Sequence, residues 1–264
     1  MPLRFQSLQV VSVRPDFETA TKYGAYWTLR YLNQPAEAAG VGVVDLNKEA
    51  CTKENFDDAI LNKNAVMVGG CGHGNQTTFT GQNYDELLNT GSGSDAELLR
   101  GRGGSFLSCE FGASAEHWIN WGMKGFYGYD ETVYIPASSF PNHDAELLFK
   151  AHYAFDGALL VGKTWGEAWD DSDDVWIACM KQATPYGQRI LLYDYEIRVR
   201  AGDDNFKPYV EPPPPPDDIV CPWLDFEGTP LEVQNHVKTT HAKYLVEPCI
   251  IPQPWREWLK CKIP

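Results

Sequence analysis

Two strand–loop stretches carry most of the information in this sequence: Val66-Met67-Val68-Gly69-Gly70-Cys71-Gly72-His73-Gly74 and Ser105-Phe106-Leu107-Ser108-Cys109-Glu110-Phe111-Gly112. Each begins as an apolar run without polar alternation, which is typical of a strand covered on both faces. The first ends on a histidine between two glycines, and the second ends on a cysteine. Glycines allow the backbone to approach a ligand closely. We therefore predict that each stretch is a buried strand followed by a functional loop.

The remainder of residues 8–200 repeats this alternation of short apolar runs with helix-compatible segments. Such an order predicts an α/β fold, with a mostly parallel sheet flanked by helices. In sheets of this kind the working site lies beyond the carboxyl ends of the strands. The predicted strands are Leu8–Val13, Val41–Val44, Ala65–Val68, Ser105–Ser108, Gly125–Tyr129 and Ile190–Val199.

The charge composition of the chain indicates which kinds of binding partner are disfavoured. The 264 residues carry 36 acidic and 22 basic side chains, a net charge of -14, and most of the excess falls within residues 1–210. A chain this acidic repels phosphate groups, so we expect no nucleic-acid partner and no anionic membrane, and weakly favour basic peptides. No apolar run reaches the roughly 18 residues that a membrane span needs. Seven scattered cysteines and an N-terminus without signal-peptide features indicate a reducing, cytoplasmic setting.

The two loops carry complementary chemistry. If their strands are neighbours, His73 and Cys109 face each other at one edge of the sheet. An imidazole next to a thiol suits nucleophilic acyl transfer, and the backbone amides near Gly74 and Cys109 are placed to bind an oxyanion. A helix starting just after Cys109 is expected to favour its thiolate.

The motif pair resembles the caspase, legumain, gingipain and clostripain superfamily of cysteine peptidases, whose fold is an αβα sandwich. The resemblance covers residues 8–200 and rests on Gly72-His73-Gly74 and Phe106-Leu107-Ser108-Cys109. It implies that His73 is the catalytic base and acid, that Cys109 is the nucleophile, and that Gly74 and Cys109 supply the oxyanion-hole amides. It also implies a small hairpin near Thr77–Gln82 and requires no metal or other cofactor.

In that superfamily an acidic residue of the primary pocket selects arginine or lysine before the scissile bond. Asp130, directly after the strand that follows the cysteine strand, is the candidate for this contact. The resemblance therefore implies a cysteine endopeptidase that cleaves protein or peptide substrates after a basic residue. The alternative for Asp130 is an ordinary exposed loop carboxylate.

Two rival functions stay open on sequence grounds. Cys109 also reads as a small buried apolar residue, which fits a catalytically inactive interaction or scaffold protein. A thiol amidohydrolase such as a glutamine amidotransferase is the second rival. Those enzymes usually place the cysteine before the histidine, whereas here His73 comes first.

The C-terminal part has a different character. Glu211–Asp218 contains five consecutive prolines and predicts a stiff linker between a peptidase domain at 1–210 and a small module at 219–264. Cys221, His236 and His241 resemble ligands of a two-cysteine, two-histidine zinc finger, but Leu224 stands where the second cysteine belongs. We therefore expect a degenerate finger without metal that recruits a protein partner.

Overall fold

A computed structural model describes residues 8–63, 65–137 and 140–209, together with the backbone of 219–220 and 227–228. The chain divides into two compact units, residues 1–210 and 211–264. In the second unit the strands β9 (Ile219–Val220) and β10 (Glu227–Gly228) pair in antiparallel fashion. The zinc-finger positions Cys221, Leu224, His236 and His241 lie outside the described residues.

The first unit alternates strands and helices along the chain. Helix α1 passes through a π-helical turn at Leu29–Asn33 into α2, and single 3-10 turns occur at Lys48–Ala50, Gln82–Tyr84 and Phe111–Ser114. The elements in chain order are β1 (Gln9–Arg14), α1 (Thr19–Thr28), α2 (Gln34–Ala38), β2 (Gly42–Asn47), α3 (Lys53–Asn62), β3 (Ala65–Cys71), β4 (Thr78–Thr80), β5 (Glu86–Asn89), α4 (Gly93–Leu99), β6 (Gly103–Leu107), α5 (Ala115–Asn120), β7 (Gly125–Tyr129), α6 (His143–Leu160), α7 (Trp165–Gln182), α8 (Pro185–Glu196) and β8 (Arg198–Gly202).

Six strands form the central sheet in the order β2-β1-β3-β6-β7-β8. The first five are parallel, and β8 runs antiparallel to β7. Successive strand residues point to opposite faces: Val10 and Met67 pack with α1, α6 and α7, whereas Val11 and Val68 pack with α3, α4 and α5. The predicted α/β fold with a mostly parallel, helix-flanked sheet is thus confirmed.

Two features of this topology place the loops that carry chemistry. Strands β3 and β6 are direct neighbours, and Cys71 is in register with Leu107. The chain also changes direction at β1, since β2 lies on one side of it and β3 on the other. A crevice forms at such a switch point beyond the carboxyl ends of the strands. The loops after β1, β3 and β6 therefore meet at one edge.

The predicted strand Ile190–Val199 is wrong, because most of that segment belongs to helix α8. The Thr184 hydroxyl accepts a hydrogen bond from the Gly187 amide, and Pro185 occupies the first helical turn. A hydroxyl cap followed by proline is a strong helix start. The strand begins only at Arg198.

Candidate active site

The histidine loop is fixed by the hairpin of β4 and β5, which are antiparallel. The Thr80 amide donates to the His73 carbonyl oxygen at 2.9 Å, and the Asn75 amide donates to the Thr78 carbonyl oxygen at 3.0 Å. These bonds tie the residues on both sides of Gly74 to the hairpin. The imidazole is therefore carried on a hydrogen-bonded backbone at the end of β3.

The histidine loop and the cysteine loop are in direct contact. A Cβ atom at Gly74 would overlap the Ser108 hydroxyl and lie 3.1 Å from the carbonyl oxygen of Cys109. It would also lie 3.0 Å from the Thr78 carbonyl oxygen. Only glycine fits this position without displacing a neighbour. The His-Gly and Ser-Cys motifs are thus packed against each other at adjacent strand ends.

A tight turn follows Cys109. Glu110 has a φ of 59°, in the left-handed region, and its amide donates to the carbonyl oxygen of Glu131 at 2.9 Å. A non-glycine residue in this conformation is strained, and such strain clusters at functional sites. The Cys109 thiol donates toward the carbonyl oxygen of Val133, with a sulfur-to-oxygen distance of 3.9 Å. The turn thereby points the sulfur at the segment after β7.

His73 and Cys109 line one cavity of about 290 Å³. Its wall combines the start of α1, the ends of β3 and β6, and the segment after β7. The lining residues are Glu18, Thr19, Ala20, Thr21, Cys71, Gly72, His73, Leu107, Ser108, Cys109, Val133, Tyr134, Ile135 and Ala137. The structure thus brings the predicted nucleophile and base to the same concave surface.

Glu18 is a further residue of the site that the sequence reasoning missed. It caps helix α1, and its carboxylate accepts hydrogen bonds from the Thr21 amide at 2.9 Å and from His73 Nε2 at 3.0 Å. Helix α1 can lie this close to β3 because residue 24 is glycine and has no Cβ atom. A Cβ at Gly24 would be only 2.5 Å from the Cys71 sulfur. The pairing therefore depends on a glycine contact between α1 and the end of β3.

The charge state of Glu18 determines the imidazole tautomer. Burial raises the pKa of Glu18. Hydrogen bonds from the Thr21 and Ala20 amides and the nearby His73 lower it by more, so the pKa of Glu18 lies below its usual value. An ionised carboxylate only accepts hydrogen bonds, so His73 Nε2 carries the proton. In the neutral ring with this tautomer, Nδ1 is the unprotonated nitrogen and the one that can act as a general base.

The pKa of the Cys109 thiol is raised, contrary to the expectation that the following helix favours its thiolate. Burial raises the pKa of Cys109, and the carboxyl groups of Glu110 and Asp194, when ionised, act in the same direction. Only a four-residue 3-10 turn, Phe111–Ser114, follows directly, which provides little dipole. Within the described residues, no hydrogen bond joins the imidazole to the thiol.

The two predicted oxyanion-hole amides are uncommitted. Gly74 and Phe79 lie opposite each other as an antiparallel pair whose hydrogen bonds are made by the flanking residues. In such a pair the two opposed residues do not bond to each other, so the Gly74 N–H takes no part in the hairpin hydrogen bonds. The Cys109 amide lies beside its own sulfur. Among the described residues, neither amide donates to another residue. The role of these two amides in binding an oxyanion stays a prediction.

Asp130 lies away from the cavity. Its side chain is exposed, its amide donates to the Ile197 carbonyl oxygen at 3.1 Å, and it is not among the lining residues. A second carboxyl group, Asp194 of α8, is fully buried behind the cavity wall and accepts the Tyr134 amide at 3.0 Å. Burial raises the pKa of Asp194 to about 8. The acidic side chain that the structure places at the cavity is Glu18.

The described residues contain no group of three or more His, Cys, Asp or Glu side chains suited to hold a metal ion. Cys51, Cys71, Cys109 and Cys179 are free thiols. Across the parts of the chain that the structure covers, no helix combines the length and apolar character needed to cross a membrane.

Comparisons with known proteins return structural similarity only. No family model matches the sequence, and no curated protein matches it. The Arg-specific cysteine proteinase gingipain R is similar at a TM-score of 0.48 and 13% identity, over 75% of this chain and 46% of that one. A complex of the pro- and mature domains of RgpB from Porphyromonas gingivalis gives 0.47 and 13%, over 76% and 48%. This chain spans about half the length of those proteins.

Proposed function

We propose that this chain is a cysteine endopeptidase that uses His73 and Cys109. The observation that carries the proposal is the contact between the His-Gly and Ser-Cys loops at neighbouring strand ends, with both side chains on one cavity. A histidine, a thiol and backbone amides beside the thiol are the groups that acyl transfer needs.

The chemistry follows from these groups. As the peptide binds, His73 Nδ1 removes the proton from the Cys109 sulfur, which attacks the scissile carbonyl carbon. The Gly74 and Cys109 amides hold the resulting oxyanion, and the imidazolium returns its proton to the leaving amine. Water then hydrolyses the thioester. Glu18 stabilises the imidazolium, because its ionised carboxylate lies 3.0 Å from Nε2.

The proposed substrates are peptides with a basic residue before the scissile bond. The net charge of -14 attracts cationic peptides, and the Glu18 carboxylate gives the cavity an acidic wall. Asp130 remains the residue to test for this preference, with the exposed carboxylate as its alternative. Nucleic acids and membranes are not proposed as partners, and the proposed setting is the reducing cytoplasm.

A second candidate is a non-catalytic interaction protein that works through residues 219–264. The observation that favours it is the thiol, whose pKa is raised by burial and whose hydrogen bond goes to the Val133 carbonyl oxygen rather than to His73. On this alternative the cavity is a remnant and the protein partner binds the C-terminal module.

Profiling a peptide library with wild type, Cys109→Ala and the control Cys179→Ala separates these functions. We expect wild type and the Cys179 variant to cleave after arginine or lysine, and Cys109→Ala to cleave nothing while melting at the same temperature. Full cleavage by Cys109→Ala would refute the mechanism. A folded wild type that cleaves no peptide would support the interaction protein, and release of ammonia from glutamine alone would indicate an amidohydrolase.

A further inference from the structure

Two aromatic rings lie against the imidazole outside the cavity. The centroid of the Tyr84 ring is 5.0 Å from that of His73, and the Phe17 ring is 5.9 Å from it. Phe17 and Tyr84 contact each other edge to face at 5.0 Å. We name this pair the aromatic shelf. Neither of its residues is among those that line the cavity.

Most of the Tyr84 side chain faces solvent. It is 63% exposed, and within the described part of the chain its hydroxyl has no hydrogen-bond partner. The exposed ring next to the imidazole is therefore available to a ligand.

The turn that carries Tyr84 is both strained and rigidly attached. Asn83 and Tyr84 have φ angles of 52° and 64°, and an aromatic residue in the left-handed region is a genuine outlier. The Gln82 amide donates to the Cys51 carbonyl oxygen at 2.8 Å, and the Gln82 side chain accepts the Asp16 amide at 2.9 Å. These bonds anchor the backbone of the turn from which the Tyr84 side chain projects.

The chemistry of the proposed function says which part of a substrate lies there. In acyl transfer the histidine donates its proton to the leaving amine, so the leaving segment lies on the imidazole side of the scissile bond. The cavity wall formed by Val133–Ile135 lies on the thiol side, because Val133 accepts from the Cys109 sulfur. A group stacked beside His73 therefore meets the residue that follows the scissile bond.

We propose that the aromatic shelf is a specificity site for the leaving segment and binds an aromatic or large apolar side chain directly after the cleaved bond. This inference rests on the proposed peptidase function. Because the turn backbone is anchored before binding, little of its conformational entropy is lost when Tyr84 contacts a ligand. Stacking on Tyr84 then adds to the affinity for such substrates.

The test uses two quenched fluorescent peptides that share one basic residue before the scissile bond and differ only after it, with phenylalanine or glycine. Wild type is expected to prefer the phenylalanine peptide in kcat/KM. Tyr84→Ala should reduce that preference, the ratio of the two kcat/KM values, about tenfold, mainly through the KM for the phenylalanine peptide. Tyr84→Phe should keep the preference, since the hydroxyl has no partner. Tyr186→Ala, which removes another exposed tyrosine (56% exposed), is the matched control and should behave as wild type.

Three results would overturn the inference. An unchanged preference in Tyr84→Ala refutes it alone, while the peptidase function stands. An equal loss on both peptides shows that Tyr84 acts through His73 rather than through the substrate. A wild type that cleaves neither peptide refutes the proposed function, and the specificity site with it.

Discussion

Gly74→Ala tests the contact between the histidine loop and the cysteine loop. The new Cβ atom would overlap the Ser108 hydroxyl and lie 3.0 Å from the Thr78 carbonyl oxygen and 3.1 Å from that of Cys109. The hydroxyl can move by rotation of one side chain. The two carbonyl groups belong to the backbone, so the loops themselves must separate.

The expected magnitudes follow from this geometry. Forcing an extra carbon into a packed contact costs about 2 kcal/mol, which lowers the melting temperature by about 4–8 °C for a domain of this size. Activity is more sensitive, since a displacement of about 1 Å between reacting groups costs about 100-fold. The two carbonyl contacts require a shift of only a few tenths of an ångström, so we expect kcat/KM to fall about tenfold in a variant that still folds.

Differential scanning calorimetry and peptide cleavage measure the two effects on the same samples. Gly157→Ala is the matched control, because a Cβ at that position in α6 meets no atom within 4 Å. That variant should gain up to about 1 kcal/mol of stability from helix propensity and keep its activity.

A double variant sharpens the test. Ser108→Ala alone should be near neutral, because its buried hydroxyl has no partner in the described structure. Combined with Gly74→Ala, it should recover about half of the lost stability, so that the two effects are not additive. A Gly74→Ala variant as stable and active as wild type, or strict additivity with Ser108→Ala, would refute the contact between the loops.

Three further predictions concern single carboxyl groups. Glu18→Gln keeps a hydrogen-bond acceptor for His73 but removes the charge that stabilises the imidazolium, so kcat/KM should fall about 10- to 100-fold with little change in melting temperature. Glu110→Gln removes a negative charge beside Cys109, so the pKa of the thiol should fall and its alkylation by iodoacetamide at pH 7.5 should become faster. Asp156→Asn should flatten the pH dependence of stability. Burial raises the pKa of Asp156 to about 7. From about pH 4 to 7 the unfolded chain therefore releases a proton that the folded chain keeps, so the free energy of unfolding of wild type falls by about 1.4 kcal/mol per pH unit through this group.

Each of these predictions has a contradicting result. Unchanged kcat/KM in Glu18→Gln would remove Glu18 from the mechanism. An unaltered pH profile of alkylation in Glu110→Gln would show that its charge does not reach the sulfur. A constant difference in unfolding free energy between wild type and Asp156→Asn, from pH 4 to 8, would show that Asp156 is ionised in the folded state.

The central strands and the meeting of two site residues were predictable from the sequence. Strands β3 and β6 are continuous apolar runs because both faces are covered, and that pattern is local. Once both are assigned to one parallel sheet, their following loops share an edge, which brings His73 and Cys109 to one cavity. The hairpin expected near Thr77–Gln82 is also present as β4 and β5.

The role of Glu18 and the raised pKa of Cys109 were not predictable, because each depends on contacts distant in the chain, whereas the local start of α8 at Thr184-Pro185 was missed. Glu18 meets His73 only because α1 follows β1 at the switch point of the sheet. The one local signal was its reciprocal capping with Thr21. The apolar residues of α8 fit either a strand or a helix over a short window. The pKa of Cys109 is set by burial and by carboxyl groups from other segments.

The central claim is that Cys109 is a nucleophile activated by His73. A peptidyl acyloxymethyl ketone bearing arginine, followed by mass spectrometry of the intact and digested protein, measures this directly. We predict one adduct per chain, on Cys109, with Cys71 unmodified, and a rate of formation at least about 100-fold lower in His73→Ala. An adduct on another cysteine, or an equal rate in His73→Ala, would contradict the account.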